Sequence, residues 1–162
     1  MEPSQYNEII IKHHCKSHYS NDEDIHKLLN YIAGNGKKKQ KILHIGNYGL
    51  DNNPDTASSQ IIAIQRLLKK NTKRRLYHIT VSFPTTCKNT KTVIQLSDKI
   101  GKFIFQKYQV FYAVHGTTDN LHIHFAFNAT SYITGKKCHL DKENTKSFKI
   151  KVHEIISKQI IS

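Results

Sequence analysis

Cysteine, acidic side chains and long apolar runs are all scarce in this 162-residue chain. The three cysteines, Cys15, Cys87 and Cys138, are widely spaced and form no C-x-x-C pair, which argues against a disulfide framework and against a thiolate zinc site. No apolar run approaches the ~18 residues of a membrane span, and residues 1–8 lack the basic start and apolar stretch of a secretion signal. The sequence therefore predicts a cytoplasmic protein without a membrane span.

The shortage of acidic residues leaves a large positive charge. The chain has 25 lysines and arginines against 12 aspartates and glutamates, a formal net charge of +13. This balance indicates a polyanionic partner, and nucleic acid is favoured over an anionic membrane because no strongly basic amphipathic helix with aromatic anchors is present. With 38% hydrophobic residues and no internal repeat, residues 1–162 are predicted to fold as a single domain.

Histidine is abundant, with 11 residues, and three histidines fall close together late in the chain. In an extended strand His122 and His124 point to one face, while the alternate apolar residues point to the other. The turn-like residues 116–120 would fold the preceding apolar strand, which ends at His115, back beside this one. The sequence therefore predicts that His115, His122 and His124, called here the histidine trio, converge on one metal ion.

The sequence leaves several alternatives open for these histidines. His13 or His14 lies on a neighbouring predicted strand and is an alternative to His115 as third ligand. The trio could also form a zinc site without a catalytic role. In a chain this rich in histidine, some pairs arise by chance, and a single strand histidine is usually a surface or core residue.

Periodicity and turn residues predict alternating strands and helices. Period-2 patterns predict strands, and apolar residues at i, i+3, i+4 and i+7 predict helices. The predicted strands cover residues 7–15, 76–83, 110–115 and 121–127, and the predicted helices, the first opened by a capping-box pattern at Ser20, cover 20–34, 54–70, 93–104 and 142–160. Two strands joined by a short turn are antiparallel, so the expected class is α+β, with helices on one antiparallel sheet and the opposite face open for a substrate.

A tyrosine and two basic clusters accompany these elements. Tyr31 falls about 60° outside the apolar stripe of the first helix, so its hydroxyl can reach solvent or a substrate. A lysine run follows this helix directly, and a second basic cluster precedes the strand at 76–83. Charge runs are usually solvated surface, but these two are also candidates for phosphate contact. The candidate phosphate-binding residues are Lys37, Lys38, Lys39, Arg74 and Arg75.

The strand at 76–83 has a polar face. His78, Thr80 and Ser82 alternate with apolar residues and therefore share one side of the strand. A polar strand face usually meets solvent, and a row of this composition can also line a phosphate-binding cleft. The pattern alone does not decide between the two.

Three stretches of the chain occur in the order of a known set of motifs. Residues 28–32, with Tyr31, resemble a first motif that holds a nucleophilic tyrosine, and residues 77–84 resemble a second, a strand that approaches DNA. Residues 112–128, with the histidine trio and a trailing Asn128, resemble a third, metal-binding motif. Together they resemble the catalytic domain of single-tyrosine conjugative relaxases, the mobilisation endonucleases of the His-hydrophobe-His superfamily, in the clade of the Agrobacterium T-DNA endonuclease.

Motif order and two departures qualify this resemblance. In rolling-circle replication initiators the tyrosine lies on a helix after the histidine pair, whereas here the final predicted helix contains no tyrosine and Tyr31 precedes the histidines. Thr117 and Leu121 stand where an acidic residue and a proline are common in the clade. The missing acid affects a contact to DNA or around the metal, and the three histidine ligands are retained.

The resemblance implies a fold, a reaction and a substrate. The fold would be a relaxase-like or initiator-like sandwich, a central antiparallel sheet flanked by helices with one open face for DNA. Tyr31 would attack single-stranded DNA at an origin of transfer, giving a 5′-phosphotyrosine and a free 3′-hydroxyl. The histidine trio would hold Mn²⁺ or Mg²⁺, with Zn²⁺ as the alternative. His78, Ser82 and Asn128 would contact DNA or the surroundings of the metal.

The resemblance also bears on partners and on rival functions. Accessory DNA-processing and coupling proteins are the expected partners of a chain that is itself expected to be a monomer. One rival interpretation is a rolling-circle replication initiator or transposase of the same fold. The other is a catalytically inactive, basic DNA-binding accessory protein.

Overall fold

The chain alternates between strands and helices, as the sequence predicts. A computed structural model describes residues 8–15, 19–116 and 120–161. Residue 7 of the predicted first strand and residues 117–119 of the predicted turn, including Thr117, lie outside these ranges. The elements within them are β1 (Ile10–His13), α1 (Asp22–Ile32), β2 (Ile42–Tyr48), α2 (Pro54–Leu67), β3 (Leu76–Ser82), α3 (Thr90–Phe105), β4 (Val110–Gly116), β5 (Leu121–Asn128) and α4 (Lys142–Ile161).

The strands form one antiparallel sheet in the spatial order β1-β3-β5-β4-β2. Side chains alternate along each strand, so the pairing register sorts them into two faces. The predicted α+β class, with a single antiparallel sheet and helices packed on it, is confirmed. The short connection between β4 and β5 makes the two histidine-bearing strands neighbours, also as predicted.

Strand β2 is an element that the sequence pattern did not predict. It pairs with β4 and forms one edge of the sheet. Its sequence, ILHIGNY, mixes apolar and polar residues without alternation, and a register shift between Ile42 and His44 interrupts its pairing. Because β2 is defined by pairing with a strand distant in sequence, no local signal was available to predict it.

The two faces of the sheet pack against different helices. On one face, α3 and α4 bury the aromatic and aliphatic side chains of the central strands, and on the other α1 and α2 cover a smaller apolar area. Among the described residues, no helix is both long and apolar enough to cross a lipid bilayer. The first face includes Ile79, Val81, Phe125, Phe127, Ile100 and Val152, and the second includes Phe111, Ala113, Ala126, Leu29 and Ile61.

The second face is open at one end of the sheet. A row of paired residues crosses the sheet there, in the order Ile10, Ser82, His122, His115 and Ile42. The side chain of Ile10 is 64% exposed, and Ser82 and His122 are partly exposed. The open face predicted for a substrate is therefore confined to this end, beside two of the histidines.

Helix α1 ends next to this open area. Its N-cap is Asn21, whose side chain accepts a hydrogen bond from Asp24 N at 2.8 Å, so the capping pattern begins one residue later than the predicted Ser20. Gly34 stops the helix with a φ of +88°, which a residue with a Cβ rarely adopts. Its amide donates to the Tyr31 carbonyl at 3.1 Å. The helix therefore ends directly after Tyr31.

Candidate functional site

The histidine trio converges as the sequence predicts. His115 on β4 pairs directly with His122 on β5, and His124 lies two residues further along the same face of β5. One ring nitrogen from each residue can be chosen such that all three lie within 4.8 Å of one another. The ring centroids of His115 and His124 are 4.5 Å apart. This spacing allows three nitrogens to bind a single cation.

Two buried nitrogens of the trio have no hydrogen-bond partner among the described residues. Nε2 of His115 donates to the carbonyl oxygen of Ile32 at 2.7 Å, which places the proton on Nε2 and leaves Nδ1 with its lone pair. That Nδ1 atom and Nε2 of His124 are both buried and unpaired. Leaving buried polar atoms unpaired costs stability, so the site fits a bound metal ion well.

The electrostatic environment keeps the trio neutral. Burial lowers the pKa of His115, His122 and His124 below the ordinary histidine value, because a charged imidazole loses hydration there. Positive charge on neighbouring imidazoles would lower the pKa of His124 further. Neutral imidazole is the form that binds metal, so the protonation state of the trio at neutral pH is suited to a metal ion.

His78 contacts this site from β3. Its Nε2 lies 2.9 Å from Nδ1 of His124, and its Nδ1 lies 3.1 Å from the Tyr19 hydroxyl. If His124 offers Nε2 to an ion, its Nδ1 carries the proton and donates to His78, and His78 donates in turn to Tyr19. Burial lowers the pKa of His78 to about 3, so this ring is neutral. Sequence reasoning missed Tyr19, which no local motif marks.

Removing the His78 contact should weaken metal binding at the candidate site formed by the trio. We expect His78→Leu to weaken Mn²⁺ binding by about 10–100-fold, because the His124 ring loses the partner that fixes its orientation. His78→Gln should retain most of the affinity, since its side-chain oxygen can accept the same hydrogen bond. Isothermal titration calorimetry on both variants measures this difference. Equal affinity for the leucine variant and the wild type would contradict an orienting role.

Tyr31 lies beside the trio, at the end of α1. Its side chain is 38% exposed, and its ring stands edge-on to His124 and His115, with centroids 5.5 and 6.3 Å away. The hydrogen bond from His115 to the carbonyl of the next residue, Ile32, ties this helix end to β4. A substrate atom between the tyrosine and the trio would therefore meet both.

The lysine loop, residues 37–39, follows on from Tyr31. A Cβ at Gly36 would lie 3.3 Å from Cδ2 of Tyr31, so the chain passes close to the ring at this glycine. The lysines that come next are all exposed. Their positive charge follows Tyr31 closely in the chain and can attract the phosphate backbone of a bound nucleic acid.

Three predicted DNA contacts lie elsewhere. Arg74, Arg75 and Asn128 are at the far end of β3 and β5, about 20 Å along the strands from His122 at ~3.4 Å per residue. Arg75 is 3% exposed and pairs with Asp22 at 2.7 Å, and the fully buried Asn128 amide bonds to Gln109 and Gln65. Arg75 and Asn128 therefore lie in a buried hydrogen-bond network that contributes to the fold, and their burial disfavours the DNA contacts predicted for them.

The remaining predicted site residues divide between the two faces. Ser82 pairs with His122 and is partly exposed, so it stays at the site. Arg74 lies over the Tyr77 ring, 5.0 Å from its centroid. Tyr77 belongs to the face of the sheet that packs on α3 and α4, opposite the face that carries the trio. His13 packs against that same ring, and His14 stacks on His78 at 4.1 Å. Neither histidine joins the trio within the described part of the chain.

Comparisons with known proteins agree with this geometry. Residues 31–159 match the family model described as relaxase, MobA/VirD2-like, nuclease domain. The chain is also similar to Protein TraI of Escherichia coli, with 31% identity over 108 residues, which are 65% of this chain and 15% of that protein. The chain thus spans a small part of this relative's length. Both matches support a role in nicking DNA, and the extent of the first shows that this chain belongs to the MobA/VirD2-like relaxase nuclease-domain family.

Proposed function

We propose that this chain nicks single-stranded DNA at an origin of transfer, at a specific site and strand, and so initiates the mobilisation of a plasmid or integrative element. The observation that carries the proposal is the ring of Tyr31 standing 5.5 Å from that of His124 at the open end of the sheet. Family membership supports the nicking role. A cytoplasmic monomer that works with accessory and coupling proteins is part of the same proposal.

Tyr31 is the nucleophile in this proposal. Its phenolic oxygen forms a bond to phosphorus and the bond from phosphorus to the 3′-oxygen breaks, while the phenol loses a proton and the leaving oxygen gains one. The products are 5′-phosphotyrosyl DNA and a free 3′-hydroxyl. No water is consumed, so the reverse reaction rejoins the strand. A neutral phenol is a weak nucleophile and depends on positioning. The α1 terminus and its tie to His115 supply that positioning.

The histidine trio is proposed to hold a divalent cation. Once bound, the ion supplies positive charge to the non-bridging oxygens of the scissile phosphate. A set of three protein ligands would leave part of the ion accessible to a substrate. Imidazole ligands favour Mn²⁺ or Zn²⁺ over Mg²⁺, and the resemblance implies Mn²⁺ or Mg²⁺. We therefore propose Mn²⁺ or Mg²⁺ as the working ion, with Zn²⁺ as the alternative.

The lysine loop is proposed to bind the DNA backbone. The DNA-binding constant of such a protein falls with salt, and each phosphate neutralised on a single strand contributes ~0.7 to the magnitude of the slope of log K against log salt. We expect replacement of all three lysines with glutamine to reduce the magnitude of this slope by up to about 2. Fluorescence anisotropy with oligothymidylate over a salt series measures the slope. Replacing Lys91, Lys102 and Lys158, which are exposed on α3 and α4, removes the same charge and should change the slope less. Equal changes would contradict a specific role for the loop.

A covalent adduct assay tests the nicking proposal. The protein is incubated with a random-sequence pool of single-stranded DNA in Mn²⁺, and the products are separated on a denaturing gel. A 3′-end label should migrate with the protein, a 5′-end label should be released, and EDTA should prevent both. Sequencing the attached DNA identifies the nick site. Binding without any adduct contradicts the proposal and favours the inactive accessory protein.

The rolling-circle initiator or transposase is a weaker candidate. Such enzymes place the tyrosine on a helix after the histidine pair, and α4, the helix that follows β5, contains no tyrosine. Tyr31 precedes the pair and already lies at the trio. This order favours relaxation and transfer over replication initiation.

A further inference from the structure

A groove runs between α3 and α4, on the face of the sheet opposite the trio. It consists of two adjoining cavities, of about 670 and 270 Å³, and both are lined by Phe103, Gln106 and Lys151. The α4 residues that line it recur every three or four positions from Asn144 to Lys158, so they share one face of the helix. At ~1.5 Å per residue this face is about 20 Å long. The groove, called here the α3/α4 groove, is therefore long enough to hold a segment of another protein.

The rim of this groove is strongly basic. Its exposed lysines are Lys99, Lys102, Lys107, Lys151 and Lys158. The one carboxylate that lines the groove, that of Glu154, is already paired with Lys151 at 3.2 Å. Over residues 8–15, 19–116 and 120–161, Lys102, Lys107 and Lys158 form no ion pair. The groove therefore attracts acidic groups from outside the described part of the molecule.

The smaller cavity is an apolar pocket that opens at the protein surface. The exposed residues Lys107 and Ser147 lie at its rim, and aromatic rings form much of its wall. These rings belong to Phe103, Tyr108, Phe127 and Phe148. A large apolar side chain that enters this cavity would leave water for aromatic surroundings, as the anchor residues of protein interfaces do.

The packing of these rings favours a protein segment over a nucleic acid. Phe127 is 1% exposed, and its ring stacks on that of Tyr77, with the two centroids 5.3 Å apart. The ring of Phe148 lies against those of Phe127 and Phe103, at 6.3 and 5.8 Å. Bases of single-stranded nucleic acid stack on open ring faces, whereas these faces are occupied by other rings. An apolar cavity beside a charged rim is instead typical of a protein interface.

We propose that the α3/α4 groove binds an acidic segment of a partner protein. One large apolar side chain of this segment enters the smaller cavity, and its carboxylates lie along the lysines of the rim. The inference goes beyond the proposed function and is independent of it, since neither Tyr31 nor the trio takes part. A partner bound in this groove would leave the open end of the sheet accessible to DNA.

Selection from a random peptide library displayed on phage tests this assignment. The full chain is the bait, and we expect the enriched peptides to combine several carboxylates with one aromatic or leucine side chain. A labelled peptide of enriched sequence is then the probe for fluorescence anisotropy at physiological salt. Replacing Lys102, Lys107 and Lys158 with glutamine should weaken its binding about tenfold, because three exposed ion pairs with the peptide are lost.

The matched control removes the same charge from the other side of α4. Lys142, Lys146 and Lys149 line a separate groove beside β1. Replacing these three with glutamine should leave the peptide affinity within about twofold of wild type, because charges more than about 8 Å apart are largely screened at physiological salt. The thermal midpoints of both triple variants should match wild type, since each of these lysines is at least partly exposed.

A blocking variant tests the role of the smaller cavity. Ser147→Phe adds a ring at the rim of this cavity without removing a buried side chain. It should weaken binding of the selected peptide about tenfold, because the apolar anchor is excluded. A peptide with alanine in place of the anchor should bind both proteins equally. A loss of the same size for both peptides would show that the anchor does not enter this cavity.

Several other results would overturn the assignment. They are a selection that enriches no acidic peptides, and equal losses of peptide affinity in the two triple variants. Weaker binding of oligothymidylate, with peptide binding unchanged, in the groove variant would show that the groove binds nucleic acid instead. The adduct assay keeps the two proposals apart, because the groove variant should form the adduct at the wild-type rate. Absence of an adduct in the wild type would contradict nicking alone.

Discussion

Changing Tyr31 to phenylalanine is expected to abolish the covalent DNA adduct, with a loss of at least about 10³-fold in its rate of formation. Phenylalanine keeps the ring that stands edge-on to His124 but lacks the oxygen that forms the bond to phosphorus. The 3′-labelled single-stranded pool on a denaturing gel measures the loss. Mn²⁺ affinity should stay within about twofold of wild type, because the phenol is not among the predicted ligands.

Tyr132→Phe is a matched control for this variant. The two tyrosines are almost equally exposed, at 38% and 36%, but Tyr132 stacks on Phe105, which packs with the opposite face of the sheet. Its phenylalanine variant should form the adduct at the wild-type rate. Adduct formation at the wild-type rate by Tyr31→Phe would assign the nucleophile to another residue.

Replacing Arg75 with methionine is expected to destabilise the fold by about 3 kcal/mol. The buried guanidinium donates to Asp22 and to the side-chain oxygen of Gln65, and Gln65 donates in turn to Asn128 at 2.8 Å. Methionine leaves the buried side-chain oxygen of Gln65 without this donor and removes one of the two arginine partners of Asp22. Loss of one partner of a buried ion pair costs about 3–5 kcal/mol. Because Asp22 is partly exposed, solvent screens part of the ionic contribution, and we therefore expect a loss at the lower end of this range. The thermal midpoint should fall by about 6–12 °C.

Arg74→Met is the control for the Arg75 variant. Arg74 is partly exposed, lies over the Tyr77 ring and donates to the Cys15 carbonyl, so its loss should cost no more than about 1 kcal/mol. At a temperature where both variants are folded, both should bind oligothymidylate within about twofold of wild type. An Arg75 variant with an unchanged thermal midpoint and weakened DNA binding would show that this residue contacts DNA, as the sequence predicted.

The Asp22–Arg75 pair also has an expected pH dependence. The hydrogen bond from Arg75 holds the pKa of Asp22 below its ordinary value of 3.8. The pair therefore stabilises the fold above that value, and the contribution is lost as pH falls through the lowered pKa. The difference in thermal midpoint between wild type and Arg75→Met should shrink over this acidic range. A constant difference would indicate that hydrogen bonds to Gln65 carry the whole effect.

The histidine trio was predictable from sequence because its geometry is local. Two-residue spacing puts His122 and His124 on one face, and a short connection brings His115 beside them. The position of Tyr31 at the rim of an amphipathic helix was equally local, and its 38% exposure agrees with it. The exposure of Ile10 on the edge strand β1 was not predictable, because nothing in residues 10–12 indicates which strand they pair with or which face stays uncovered.

The second and third motifs show where spacing along the chain misleads. The run 77–84 resembles a strand that approaches DNA, and in the structure its residue Ser82 lies at the open end while His78 bonds to His124. Asn128 trails the histidines in sequence but lies about 20 Å along β5 from His122. Residues at the two ends of an extended strand lie far apart even when they belong to one sequence motif. The motif itself does not indicate which end of the strand lies at the substrate.

Composition and the periods of two and 3.6 residues were enough to establish the charge of the protein, the order of most elements, the faces of the strands and the three candidate ligands. Only long-range pairing and packing established that β2 exists and that β1 lies at the edge of the open face. They also established the hydrogen-bond chain from His124 through His78 to Tyr19 and the burial of Arg75 and Asn128. Each of these features joins segments far apart in the chain. Such contacts form only when the whole sheet and its helices are assembled.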